Sequence, residues 1–146
     1  MKNKNHIFLT IAAAAIFIMV YGCSGSFLIQ KTAEFENKTW LVQSIDYNDI
    51  PNTEGKLFLK FSRSSKKFSG FGGCNNIVGS YSITGSDITI KPSSSKETCT
   101  EGMETEKNMI TILEKATEFR EVSSSGNEYL SIISTEGSTL LLRLKQ

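Results

Sequence analysis

The chain has 146 residues, of which 16 are basic and 15 acidic, so its formal net charge is +1, and its single histidine is His6. A length of this order suits one domain that can bury its own core. A near-neutral composition gives no electrostatic footprint for nucleic acid, so we expect no nucleic-acid partner.

The first 22 residues have the three parts of a secretory signal peptide. A basic head precedes an apolar run over residues 7–20, and the small residue Gly22 comes directly before Cys23. This order is typical of bacterial lipoproteins, in which the cysteine thiol is acylated and the chain is cut before it. We therefore predict a lipoprotein signal peptide over residues 1–22 and a lipidated Cys23 that carries palmitate or similar acyl chains.

Two other interpretations of this region remain open. Cys23 is also compatible with an ordinary signal-peptidase cut, and an uncleaved apolar run through residues 27–29 would act as a membrane anchor. A spanning helix needs roughly 20 consecutive apolar residues, and the small and polar residues 22–26 interrupt the run. Cleavage is therefore favoured. Ser24, rather than Asp, fits the outer-membrane sorting rule of enteric bacteria, so we expect a lipid-anchored protein that faces the periplasm.

The predicted mature chain offers little for catalysis. Cleavage before Cys23 removes His6, and with it the commonest general base and metal ligand. No phosphate-binding loop, dinucleotide fingerprint, zinc-protease motif or nucleophile elbow occurs in the sequence. We predict no catalytic residue, no metal site and no cofactor, and hence a protein that is not an enzyme.

Residues 23–38 mix Ser, Gly, Lys, Glu and Asn without periodicity, which predicts a tether between the lipid and a domain over residues 39–146. Within that domain, short segments with alternating or β-branched apolar residues predict strands. Polar turns separate them, and two turns, at residues 84–86 and 135–137, predict hairpins. The predicted strands are 40–45, 56–61, 67–71, 80–83, 87–90, 128–133 and 138–144.

The apolar spacing changes between Glu101 and Val122. Apolar residues recur there at steps of three and four, which predicts one amphipathic helix with the stripe Met103, Met109, Ile112 or Leu113, Ala116 and Phe119. Thr98 and Glu101 have the spacing of a capping box. The expected fold is α+β: a mostly antiparallel, curved β-sheet or open barrel with one amphipathic helix packed on it.

Cys74 and Cys99 are the two other cysteines. In an exported protein a remaining pair of thiols usually forms a disulfide. A metal site is the alternative, but two thiolates without histidine make a poor one, and a redox pair would more often be C-x-x-C. We favour a structural disulfide.

The sequence around these cysteines resembles the META domain, also called the HslJ-like family. The carrying residues are the Gly-rich segment 68–76 with its G-C-N core, the G-x-Y of Gly79 to Tyr81, Gly85, and Thr98 before Cys99. Trp40 fits the opening strand of such domains, and the likeness covers about residues 39–144. One departure is the threonine, which the family usually places several residues before the second cysteine.

The resemblance implies a small cell-envelope lipoprotein linked to stress tolerance and, in some members, to secretion or virulence, and it implies no catalytic residue. We predict a role in stress tolerance or envelope maintenance. Its motif residues are Gly73, Asn75, Asn76, Gly79 and Tyr81, which are sufficient for a structural turn. A ligand contact through Asn75 and Asn76 is the functional alternative. We expect binding of envelope components. The alternatives are a carrier of a hydrophobic small ligand and a protease-inhibitor-like or secretion-chaperone module that inserts a loop or an edge strand into an envelope protein.

Overall fold

The computed structural model describes residues 33–51 and 54–146, and the predicted signal peptide and Cys23 lie outside them. The described residues form nine strands and one helix. In chain order these are β1 (Thr39–Ile45), β2 (Asn48–Asp49), β3 (Phe58–Ser62), β4 (Lys67–Phe71), β5 (Asn76–Thr84), β6 (Asp87–Ser94), α1 (Met103–Glu114), β7 (Ala116–Ser124), β8 (Asn127–Ser134) and β9 (Thr139–Leu144).

The sheet closes into a barrel of eight antiparallel strands. Its order is β1-β3-β4-β5-β6-β7-β8-β9, and β9 pairs with β1, from Trp40 with Leu144 to Ile45 with Leu140. The strand β2 only extends the end of β1 as a short hairpin. The α+β prediction is confirmed, but the barrel is closed rather than open, because β1 has a hydrogen-bonded partner along both of its edges.

Side chains from the inner face of every long strand fill the barrel. An eight-stranded barrel is just wide enough for side chains to fill its interior. Each buried aliphatic or phenyl side chain contributes about 1.5–3 kcal/mol relative to its exposure to water. The residues with 0% exposure are Phe35, Leu59, Phe61, Ile77, Met109, Leu113, Leu130, Ile132, Leu140 and Leu142.

The helix is shorter than the sequence predicts. It runs over Met103–Glu114, and residues 116–124 form β7. A register shift between Ala116 and Glu118 lets Ala116 and Phe119 both point inward although they are three residues apart. This bulge imitates helical spacing. The predicted capping box is also wrong, since Gly102 occupies the N-cap position without a side-chain cap.

The stretch predicted to be a tether ends in the packed domain. Phe35 lies in the core, where its ring centroid is 5.0 Å from those of Phe61 and Phe119. The Trp40 indole Nε1–H donates to the Phe35 carbonyl at 2.8 Å. The domain therefore begins before Thr39, because burial of this aromatic ring outweighs the polar character of its neighbours.

Candidate functional site

The Gly-rich motif forms a tight turn between β4 and β5. Gly72 N–H donates to the Asn75 carbonyl at 3.1 Å, which reverses the chain over four residues. Both Cys74 and Asn75 are buried at this turn. Its backbone N–H groups point away from solvent and need acceptors inside the protein.

A carboxylate from the helix supplies those acceptors. Glu106 on α1 is buried, and its Oε2 accepts hydrogen bonds from the backbone N–H groups of Cys74, at 3.3 Å, and Asn75. Its other oxygen, Oε1, accepts from Asn75 Nδ2 at 2.9 Å. A charged acceptor makes hydrogen bonds roughly twice as strong as neutral ones. The helix is thus attached to the turn through three hydrogen bonds.

The Asn75 side chain connects the same turn to the segment after β6. Its Nδ2 also donates to the Glu97 carbonyl at 3.3 Å, while its Oδ1 accepts from Ser95 Oγ at 2.8 Å and from Glu97 N–H at 3.0 Å. Both donors and both acceptor positions of the amide are therefore occupied. This leaves Asn75 no unused hydrogen-bonding capacity for a ligand.

Two glycine backbones and the disulfide hold the start of the helix against the turn. Gly73 and Gly102 both have positive φ, and a Cβ on Gly102 would lie 2.4 Å from the Gly73 carbonyl oxygen. Only residues without side chains allow this approach. The disulfide between Cys74 and Cys99 is present, with a Cα–Cα distance of 5.7 Å and a sequence separation of 25.

A second buried carboxylate lies beside the β3–β4 hairpin. The Glu36 side chain is 4% exposed and accepts from Lys66 Nζ at 2.6 Å and from Arg63 Nε at 2.9 Å. Tyr81 Oη lies 2.6 Å from the same carboxylate and 2.9 Å from the Ser62 carbonyl. These contacts fasten the segment before β1 to the barrel.

The pKa values of Glu36 and Tyr81 are shifted in opposite directions. Burial by itself would raise the pKa of Glu36, but the hydrogen bonds from Lys66, Tyr81 and Arg63 outweigh burial and hold that pKa below its ordinary value. Burial, followed by the neighbouring Glu36 carboxylate, raises the pKa of the Tyr81 phenol. Near neutral pH Glu36 is therefore an anion, and Tyr81 is a neutral donor to it.

The remaining motif residues have different surroundings. Asn76 is exposed at the first position of β5, and Tyr81 is buried further along the same strand. Gly79 lies in the middle of β5, opposite Phe68 and Pro92, because this strand begins at Asn76 rather than at residue 80 as predicted. A Cβ there would lie 2.2 Å from the Lys91 carbonyl oxygen. The motif thus provides close packing rather than one convergent site.

Sequence reasoning missed both buried carboxylates. Glu106 lies three residues before Met109 and seven before Leu113, so it falls on the apolar stripe of the helix. A carboxylate on an apolar stripe indicates a buried acid that needs hydrogen-bond donors, and this was the signal that the sequence offered. Glu36 had none, because it lies among polar residues next to Phe35, and only the folded hairpin places cations around it.

Across residues 33–51 and 54–146, no group of three or more His, Cys, Asp or Glu residues is placed to hold a metal ion. Within the same described ranges, no helix is both long and apolar enough to cross a bilayer.

In the described part of the chain, these features define the class of protein: a closed eight-stranded barrel that is filled by its own side chains, with a disulfide that joins the β4–β5 turn to the segment before the helix. The chain belongs to the META domain family, whose model matches residues 33–146. No curated protein matches the chain.

Two solved structures share this fold. An NMR structure of a protein from Burkholderia xenovorans has a TM-score of 0.62 and 18% identity, over 77% of this chain and 84% of that one. A second NMR structure has a TM-score of 0.56 and 17% identity, over 75% of this chain and 91% of the other. At these identities the likeness shows the fold alone.

Proposed function

We propose that this protein is a non-enzymatic lipoprotein of the bacterial cell envelope, anchored through Cys23 to the outer membrane and facing the periplasm. There it binds envelope components and contributes to stress tolerance or envelope maintenance. Membership of the META domain family supports this proposal, since the sequence-based resemblance implied such roles.

The observation that carries the proposal is the disulfide between Cys74 and Cys99. Structural disulfides form and persist in oxidising compartments, among them the bacterial periplasm. The disulfide therefore agrees with export of the chain, which the signal-peptide pattern before Cys23 predicts independently.

The arrangement of the buried polar groups supports a role without catalysis. Glu36 and Glu106 are both engaged in hydrogen bonds that attach one segment of the fold to another. The raised pKa of Tyr81 keeps its phenol protonated, which makes it a poor base or nucleophile. Catalysis by these groups would require them to abandon structural contacts.

The two alternatives fit the fold less well. A hydrophobic ligand carrier would have to displace core side chains, because residues such as Phe61 and Leu142 occupy the barrel interior. A module that docks by strand addition needs a free strand edge. Both edges of β1 and β9 are paired, so strand addition would have to use the seam where β6 and β7 pair only through Asp87 and Glu118. The outer surface is the better candidate for recognition.

Fractionation of cells that express the full chain tests this proposal. The wild type should sediment with outer membranes and carry acyl chains. Cys23→Ser should lack the acyl mass and leave the outer membrane, either soluble in the periplasm if it is cut elsewhere or held in the inner membrane by an uncut signal peptide. In an enteric host, Ser24→Asp should keep the anchor but move the protein to the inner membrane.

A deletion strain should lose resistance to envelope stress and regain it from the wild-type gene but not from the Cys23→Ser gene. Membrane-bound Cys23→Ser of unchanged mass would refute the lipid anchor.

A further inference from the structure

A groove of about 820 Å³ lies on the outer face of β3, β4, β5 and β6. Its polar lining residues come from different strands, so the sequence alone does not show that they lie together. The lining residues are Lys60, Ser62, Ser65, Lys67, Phe68, Ser69, Val78, Gly79, Ser80 and Lys91. Three of them are lysines, and no Asp or Glu occurs among these described residues.

Strand register arranges the groove as two rows. One row runs directly across the sheet from Ser62 through Lys67 and Ser80 to Lys91. The other begins at Lys60, which pairs with Ser69. Because neighbouring strands are about 4.8 Å apart, the Cα atoms of lysines two strands apart in a row are separated by about 10 Å. Hydroxyl groups thus alternate with ammonium groups across the groove.

The three lysines of the groove lack anionic partners within the described part of the chain. Other cations are paired: Lys38 with Glu128, Lys115 with Glu136, and Arg63 with Glu36. Lys60, Lys67 and Lys91 make neither an ion pair nor a side-chain hydrogen bond there. An anion that binds between them relieves their mutual repulsion.

We propose that this groove binds a phosphate-bearing glycan chain of the cell envelope. This inference rests on the proposed envelope function and names the component that the protein binds. Lysine recognises phosphate as a point charge and accepts varied geometries. Serine hydroxyls both donate and accept, as sugar hydroxyls require, and Val78, which is 49% exposed, offers an apolar contact to a sugar ring.

The same lining argues against two other polyanions. Proteins bind single-stranded nucleic acid partly through exposed aromatic rings on which the bases stack. The aromatic residue of this groove, Phe68, is only 3% exposed and is not available for such stacking. A phospholipid surface is flat and reaches mainly protruding side chains, whereas Ser62, Phe68 and Gly79 of this lining are buried or only partly exposed. A chain with anionic groups spaced along it follows the row from Lys67 to Lys91.

Calorimetric titration of the full-length protein in nonionic detergent tests the inference. The probe is the phosphate-bearing core oligosaccharide released by deacylation of lipopolysaccharide, and its control is the same oligosaccharide after dephosphorylation. The triple variant K60Q/K67Q/K91Q should bind the probe at least about tenfold more weakly at low salt, because three charge contacts are lost. The charge-matched variant K96Q/K107Q/K145Q, at exposed lysines outside the groove, should bind as the wild type does.

A second variant tests whether lost binding comes from the groove itself rather than from a destabilised fold. Ser80→Glu changes one exposed residue and places a carboxylate between Lys67 and Lys91, so it should abolish binding while thermal unfolding stays unchanged. Equal weakening by both triple variants would overturn the inference. So would equal affinity for the dephosphorylated probe, for a single-stranded DNA oligonucleotide or for anionic phospholipid vesicles. These results are independent of lipidation at Cys23, so the inference can fail while the proposed envelope location stands.

Discussion

Asn75 and Glu106 are 31 residues apart in the chain, yet Asn75 Nδ2 donates to Glu106 Oε1 at 2.9 Å and the Asn75 backbone N–H donates to Glu106 Oε2. The asparagine that follows Gly73 and Cys74 in the motif is therefore bound to the helix. This contact, rather than a ligand, accounts for an asparagine at this position.

Removal of the Glu106 carboxylate should destabilise the fold. Glu106→Ala leaves the N–H groups of Cys74 and Asn75 without their buried acceptor. Since each unsatisfied buried group costs about 1–3 kcal/mol, we expect the free energy of unfolding to fall by about 3 kcal/mol. Urea denaturation of the oxidised protein measures this loss in the free energy of unfolding, and Glu104→Ala, at an exposed position of the same helix, is the matched control. Equal stability of the two variants would contradict the structural role.

Acid should weaken the protein through Glu36. Its lowered pKa means that it stabilises the folded state fully above about pH 4.5, the ordinary value, and that this stabilisation disappears as the pH falls through the lowered pKa. Glu36→Gln should therefore flatten the loss of stability below pH 4.5 and lower stability at neutral pH. Unfolding curves between pH 3 and 7 test this, with exposed Glu34→Gln as the control. An unchanged acid slope in Glu36→Gln would rule out this linkage.

Loss of the disulfide should lower the stability of the domain without abolishing the barrel. Closure of a loop with a sequence separation of 25 contributes about 3.5 kcal/mol in the chain-entropy model. The Cys74→Ala/Cys99→Ala variant and the reduced wild type should lose similar amounts in urea denaturation. If reduction had no effect on the wild-type midpoint, the disulfide would not be constraining the unfolded chain.

Gly102 should tolerate a side chain much less well than another glycine with similar backbone geometry. Gly102 has φ +82 and a carbonyl oxygen 2.4 Å from an added Cβ, whereas Gly126 has φ +77 and nothing within 4 Å. Gly126→Ala should cost about 1–2 kcal/mol through the left-handed backbone alone. Gly102→Ala should cost at least about 2 kcal/mol more, because the turn and the helix must separate. Thermal and urea unfolding of both variants measure the difference, and equal losses would exclude the close approach.

Local alternation was enough to predict most of the barrel. Residues 67–71 form a strand as predicted, and the hairpin turns at residues 84–86 and 135–137 separate paired strands. The prediction failed where a β-bulge brought Ala116 and Phe119 to one face at helical spacing. A period of three thus arises from a register shift as well as from a helix.

Charge was harder to infer than hydrophobicity. The composition showed a near-neutral chain and no basic patch, yet the register collects Lys60, Lys67 and Lys91 into one groove. Cross-strand neighbours are distant in sequence, so such a surface depends on pairing that composition does not encode. The same reason hid the cations around Glu36.

The most direct test of the envelope proposal is the intact mass of the full-length protein extracted from membranes and alkylated without reduction. We expect cleavage before Cys23, the added mass of acyl chains, and no alkyl group on Cys74 or Cys99. A chain that lacks acyl chains and carries an alkyl group on every cysteine would contradict both the lipid anchor and the oxidising compartment.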